Sequence, residues 1–264
     1  MDERLINIRR AVEHLESALG VPWLKENLKS IKKAHGGKVS FGCGIGTGGV
    51  GVAPVAYLWY RAQEELAFAE MSGRDYPGPH SLFAAVIGAD LAILRDCPGL
   101  AEKITELKLA DQPTRAICEL GLASGYLRRG FGVIFAGNGF KLRDKNILVS
   151  CLNLDPKSLE NEEQKPPAVH LETAGGQNQS RRVIYLHVED KNNAVEHGLD
   201  LRVLVPGIHR MVNAYDISVV VYRTGLRNQN NRPTFVRTGR VLRSTKSLPF
   251  KDIYIPDEVI SPGN

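Results

Sequence analysis

The sequence predicts a mixed α/β protein, with a helical N-terminal region over 1–109 and a mixed sheet domain over 110–264. Three observations predict it. Up to about Leu109 apolar residues recur at i, i+3 and i+4, the period of helices that bury one face. From Phe131 onward the pattern changes to short runs rich in Val, Ile, Leu and Tyr between polar turns, as strands require. Between the two, Pro113 to Asp155 reads as a helix handing over to a strand, with Gly130 at the helix end.

Taken in order, MDERLINIRRAVEHLESALG gives a helix over 3–19 with acidic residues in its first turn, where unpaired N–H groups favour negative charge. Helices follow over 22–34, 53–72, 80–95 and 98–109, and Pro54 is tolerated in the first turn of the third. Ahead of that helix, GCGIGTGGVG (Gly42 to Gly51) contains Gly46-x-Gly48-x-x-Gly51, the spacing of a dinucleotide-binding loop, after a short strand candidate, KVSF. No βαβ alternation surrounds it and no Lys-Ser/Thr follows, so a tight helix entry is the expected reading and an anion cradle the alternative. TRAICELGLASGYLRRGF is then a helix, GVIF a strand, AGNGFKLRDKN a turn and ILVSCLNLD a second apolar strand. Strands are expected over 132–136, 146–152, 168–172, 182–188, 217–223, 234–242 and 251–255, with a helix near 200–214. The charged stretch DPKSLENEEQKPP and the polar GGQNQS read as exposed loops.

Composition bounds the function without naming it. With 264 residues, 43% hydrophobic and 24% charged, the chain can bury a sizeable core in one large domain or two small ones. A net charge of +5 and a pI near 9.0 permit an acidic partner but do not require one. The longest apolar run, VGVAPVAYLWY, is too short for the ~20 residues of a membrane span, and the N-terminus lacks the apolar core of a signal peptide. The cytoplasm is therefore the expected compartment. Cys43, Cys97, Cys118 and Cys151 form no C-x-x-C pair, which argues against a zinc ribbon or a disulfide framework. The histidines show no metal-binding spacing, and only His187, on a strand near Glu189, stands out.

The helix–strand–turn–strand run CELGLASGYLRRGFGVIF to ILVSCLNLD resembles the PD-(D/E)xK nuclease-like superfamily over roughly residues 100 to 225. The resemblance implies a helix glutamate, matched by Glu119, an Asp after the first strand, and Glu-x-Lys on the next. Carboxylates there would hold Mg²⁺ against a phosphate and a lysine would help to activate water. In this chain the Asp position offers Phe140-Lys141 or Arg143-Asp144, and the Glu-x-Lys position reads Ser150-Cys151-Leu152. The resemblance thus implies the scaffold with a degenerate site. No cofactor is expected unless the protein cuts.

A second Glu-x-Lys, Glu189-Asp190-Lys191, ends VIYLHVEDK, with Glu172 as a carboxylate partner. Glu172 and Glu189 are the candidate metal ligands, with Lys191 beside them; the alternative is the solvated start of a loop. GLDL (Gly198 to Leu201) followed by AYDISVV is similar to NYN/PIN-type ribonuclease cores, with Asp200 at the metal-binding aspartate, but Tyr222-Arg223-Thr224-Gly225 stands where a further acid belongs. Finally, Arg223, Arg227, Arg232, Arg237, Arg240, Arg243, Lys246 and Lys251 occur without one Asp or Glu between 223 and 251. Guanidinium forks among Asn, Gln, Ser and Thr suit phosphate contacts, so nucleic acid, DNA or RNA, is the expected partner. An edge strand guarded by charge is the plainer alternative, as are an acidic protein partner and a larger or homo-oligomeric assembly.

Overall fold

In the computed structural model the described residues are 3–34, 53–74, 77–109, 113–153, 181–189, 217–229, 232–243 and 250–260. Among them six helices form: α1 (Glu3–Leu19), α2 (Val21–Ala34), α3 (Pro54–Ser72), α4 (Pro79–Leu94), α5 (Leu100–Lys108) and α6 (Pro113–Arg128). Helix α1 buries Leu5, Ile8, Val12, Leu15 and Leu19 at helical spacing and stops at Gly20, whose φ of 85° suits a helix end. The start of α4 is capped from α3: Glu65 accepts from the Ser81 N–H at 2.8 Å and its hydroxyl at 3.0 Å, and bonds His80 Nδ1 at 2.6 Å. Helix α4 is apolar nearly all round and is buried accordingly. A Cβ at Gly88 would overlap the Ala11 carbonyl, so glycine is what lets α1 lie against it.

Strands β1 (Val133–Phe135), β2 (Phe140–Leu142), β3 (Ile147–Asn153), β4 (Arg181–Glu189), β5 (Ile217–Gln229), β6 (Arg232–Arg243) and β7 (Asp257–Ile260) make one seven-stranded sheet in chain order. Strands β3, β4 and β5 are parallel, and the remaining neighbours are antiparallel. Period-two alternation sorts the side chains between two faces. One face, with Phe140, Val149, Cys151, Tyr185, Val220 and Tyr222, shares a continuous core with the helices that runs from Leu5 to Tyr254. The other carries Ile184, Leu186, Val219 and Val221, all buried.

The helices and β1, β3, β4, β5 and β6 fall where the apolar periods place them. Two segments differ from expectation. The turn AGNGFKLRDKN contains β2, whose buried–exposed–buried Phe140, Lys141 and Leu142 are too few for a strand period to stand out. The strand expected over 251–255 is a 3₁₀ turn, Phe250–Asp252, followed by irregular chain to Pro256, and the strand forms only beyond it. Proline offers no N–H to a ladder; here its carbonyl accepts from Gly239 N–H at 2.6 Å instead. The KVSF strand, the Gly42–Gly51 loop, the strand over 168–172, the helix near 200–214, and Glu172, Lys191, Asp200 and Lys246 lie outside the described residues. No helix among those described is long and apolar enough to cross a membrane.

Candidate functional site

The place to which the sequence resemblance points lies where α6 covers β3. Glu119 is there, on the buried side of α6, with 0% exposure. Its carboxylate is held by Lys103 of α5 at 2.5 Å, and the same ammonium bonds Glu106 at 2.8 Å. Burial drives the Glu119 carboxyl above its ordinary range, against the opposing pull of Lys103 and Arg115. Ser150 and Leu152 do not face it. They alternate onto the opposite sheet face, in register with Ile184 and Leu186, while Val149 and Cys151 face α6. Val149 and Cys151, the β3 residues that do face α6, offer no carboxylate. Asp144 sits exposed in the turn between β2 and β3. One buried glutamate already paired with lysine, beside a valine and a thiol, does not supply the oxygen ligands Mg²⁺ needs. No group of three acidic, His or Cys side chains suited to a metal occurs among the described residues.

A different constellation occupies the C-terminal end of the parallel strands. Asn153, His187 and Tyr222 are register partners across β3, β4 and β5. The Asn153 Oδ1 lies 3.1 Å from His187 Nδ1, and His187 Nε2 lies 2.8 Å from the Thr224 hydroxyl. An amide oxygen only accepts, so Nδ1 carries the proton in this arrangement and the ring is fixed from both sides. Cys118 of α6 adjoins this group; burial pushes its thiol up, but the neighbouring Cys151, His187 and Arg237 outweigh burial and bring it down to about 6. Thr114, Cys118, His187, Tyr222, Thr224 and Arg237 surround a small cavity, closed on its apolar side by Phe83, Ile117 and Phe235. It admits about one water-sized guest.

Arg237, expected to contact phosphate, belongs to this buried cluster: it is 2% exposed. Its Nη1 donates to Asp90 Oδ1 at 3.1 Å, its Nη2 donates to Asp90 Oδ2, and Glu258 lies 3.7 Å from Nη1. Asp90, itself 2% exposed, also accepts from Arg128 Nη2 at 3.3 Å. Burial would lower the guanidinium's pKa, but Asp90 and the other acids around it outweigh burial and hold it above its ordinary value. Parity is the reason for the correction. Arg237 shares the helix-facing side of β6 with Phe235 and is opposite Thr224, whereas Arg240 is opposite Val221 on the other face and is exposed.

No protein-family model matches the chain, and no curated protein or solved structure is similar enough to match it.

Of the remaining candidates, Arg223 is half-buried on β5 and Arg227, Arg232 and Arg243 belong to β5 and β6. Glu189 ends β4 as the register partner of Thr224. Sequence reasoning missed Asp90, Cys118, Cys151, Asn153 and Thr224 as members of one cluster. A lone aspartate in the apolar run SLFAAVIGADLAIL was the one local sign, because a carboxylate so placed must find a buried cation.

Proposed function

We propose that the protein binds nucleic acid through β5 and β6, on a nuclease-like scaffold that does not cut at the α6–β3 place. The observation that carries this reading is the shape and charge of the β5–β6 pair. The two strands pair from Val219↔Arg243 to Gln229↔Arg232, with a register shift between Val219 and Val220 and an unbroken register from Val220↔Val241 onward. Pairing of β4 with β5 ends at Glu189↔Thr224 and pairing of β7 with β6 ends at Phe235↔Ile260. Beyond those rungs, Arg227 to Gln229 and Arg232 to Thr234 pair only with each other among the described residues, as a two-stranded ribbon. A ribbon of that width enters a major groove, and its Arg, Asn and Gln residues are donors to phosphate and base edges. With Arg237 neutralised in the core, Arg223, Arg227, Arg232, Arg240 and Arg243 remain as the basic set of β5 and β6, and Lys246 and Lys251 follow in the chain. The helix-strand-strand-strand order of α6, β1, β2 and β3 supports the nuclease-like scaffold, and Val149 and Cys151 in place of an acid and a lysine support binding over cleavage at that place.

Salt-titrated binding to duplex DNA, duplex RNA and an acidic polypeptide tests the proposal. Phosphate contacts release counterions, so log affinity for nucleic acid should fall linearly with log salt, and Arg227→Ser or Arg240→Ser should each reduce that slope by about 1. Absence of DNA and RNA binding at low salt sinks the proposal. Equal binding to the acidic polypeptide would instead make the arm a protein-docking surface.

A further inference from the structure

Resting on nucleic-acid binding by β5 and β6, we propose that the tip of their hairpin reads purine edges in the major groove of B-form duplex DNA, with Asn228, Gln229 and Arg232 as the reading residues. From Arg227 to Arg232 the chain runs Arg-Asn-Gln-Asn-Asn-Arg. Arg pairs bidentately with O6 and N7 of guanine, and Asn and Gln pair with N6 and N7 of adenine, so the whole run consists of types that recognise purines. Gly, Asp and Ser serve a plain hairpin turn as well as Asn does, and none of them occurs in the run. Asn230 and Asn231 fall between the strands, but Asn228 is a strand residue, where branched and aromatic side chains are the better formers. A residue that departs from local propensity in this way marks a place shaped by contact with a ligand.

The placement suits a groove. Thr234 and Phe235 are buried, and the Phe235 ring packs edge-on against Phe83 of α4 with centroids 5.0 Å apart, so the strand pair is anchored up to the rung Arg227↔Thr234. Asn228↔Pro233 and Gln229↔Arg232 stand beyond that rung and pair with no third strand among the described residues. At about 3.4 Å per residue the last rung is about 7 Å further out, which matches a major-groove depth of about 8.5 Å. Period-two alternation sets Asn228 on one face of the tip and Gln229 with Arg232 on the other, so both faces carry a reader.

Other nucleic acids fit this tip less well. Single strands are held by aromatic side chains on which bases stack, and the aromatics of β5 and β6, Tyr222 and Phe235, are both buried. Duplex RNA presents a deep, narrow major groove that side chains cannot read. B-form DNA presents one about 12 Å wide, which admits a two-stranded ribbon. No Asp or Glu lies between Arg223 and Lys251, so the strand pair carries no carboxylate to repel the phosphates on either side of the groove. Arg227 and Arg240 remain the phosphate contacts.

The test uses the full-length protein and sites selected from a pool of randomised DNA duplexes. A selected duplex should bind at least about tenfold more tightly than the RNA duplex of the same sequence or either single strand. Replacing the purines of the site by 7-deazapurines removes N7 and keeps Watson–Crick pairing, the minor groove and every phosphate; binding should weaken about tenfold at unchanged salt slope. Asn228→Ala and Gln229→Ala should each lower the preference for the selected over a scrambled duplex about tenfold, again at the wild-type slope, because neither residue carries charge. Arg240→Ser should lower the slope and keep the preference. A pool that yields no preferred site, equal affinity for duplex RNA, or full affinity for the deazapurine duplex overturns the proposal while leaving nucleic-acid binding by the strands standing. No binding to any nucleic acid at low salt overturns both. The deazapurine comparison is made on the wild-type protein, so it decides the matter even if a tip variant fails to fold.

Discussion

Replacing Asp90 by Asn removes the anion that holds Arg237 inside the protein. Both partners are 2% exposed, so the guanidinium cannot recover hydration where it stands. Losing one member of such a pair costs about 3–5 kcal/mol, because the survivor remains a buried and uncompensated charge. Glu258, 3.7 Å from Arg237 Nη1, offers partial compensation, and an asparagine oxygen can still accept one bond, so the lower end, about 3 kcal/mol, is expected. With a urea slope of about 3 kcal/mol per molar for a chain of this size, the unfolding midpoint should drop by roughly 1 M at unchanged slope. The double variant Asp90→Leu/Arg237→Met should recover much of the loss, since two apolar side chains leave no charge to desolvate. A midpoint shift for Asp90→Asn worth less than about 1 kcal/mol would refute the reasoning. So would an Arg237→Met variant of normal stability whose salt slope for nucleic-acid binding falls by one unit, for Arg237 would then be a phosphate contact after all.

Two further outcomes follow from the same cluster. A Cβ on Gly121 would stand 2.9 Å from Arg237 Nη2 and 3.2 Å from the Tyr222 hydroxyl, both fixed by burial, so Gly121→Ala should destabilise by about 1–2 kcal/mol by urea titration despite alanine's better helix propensity; a stabilised variant would contradict the packing. The lowered Cys118 pKa sets a pH dependence: between about 6 and the ordinary 9.0 the unfolded chain binds more protons than the folded one, so stability rises with pH across that window. Its contribution is fully present above 9.0 and is lost as pH falls through about 6. Cys118→Ser should flatten the profile, and a profile parallel to wild type would show that the thiolate is not stabilised by the fold.

Helix periods were legible because each is long: five buried residues in α1 repeat at one spacing and agree with one another. The candidate site was less so, because a sheet inverts meaning at every residue. Ser150 and Cys151 are adjacent in sequence, yet one faces Ile184 across the ladder on the far side and the other meets α6. The arginines of β6 raise the same problem. Arg237 and Arg240 look alike in the string RPTFVRTGRVLR, and only the shared parity of Phe235, Arg237 and Val241 marks the first as inward. Long-range pairing decided the rest: Asp90 and Arg237 are 147 residues apart, and no local pattern joins them.

The buried arginine also anchors the proposed arm. The rung Thr224↔Arg237 joins β4, through Glu189↔Thr224, to β7, through Arg237↔Glu258, and it is the last rung of β5 that β4 shares. Past it β7 accompanies β6 for two more rungs, to Phe235↔Ile260, and beyond that β5 and β6 pair only with each other among the described residues. Asp90 clamps this rung from α4, and Gly121 lets α6 approach it. Weakening the clamp should therefore loosen the base of the ribbon without removing a phosphate contact. In that case Asp90→Asn lowers nucleic-acid affinity while its salt slope stays that of wild type, whereas Arg227→Ser lowers both. Affinity alone confounds a positional role with a contact role, and the slope separates them, because counterion release counts phosphates neutralised and is indifferent to how firmly the arm is held.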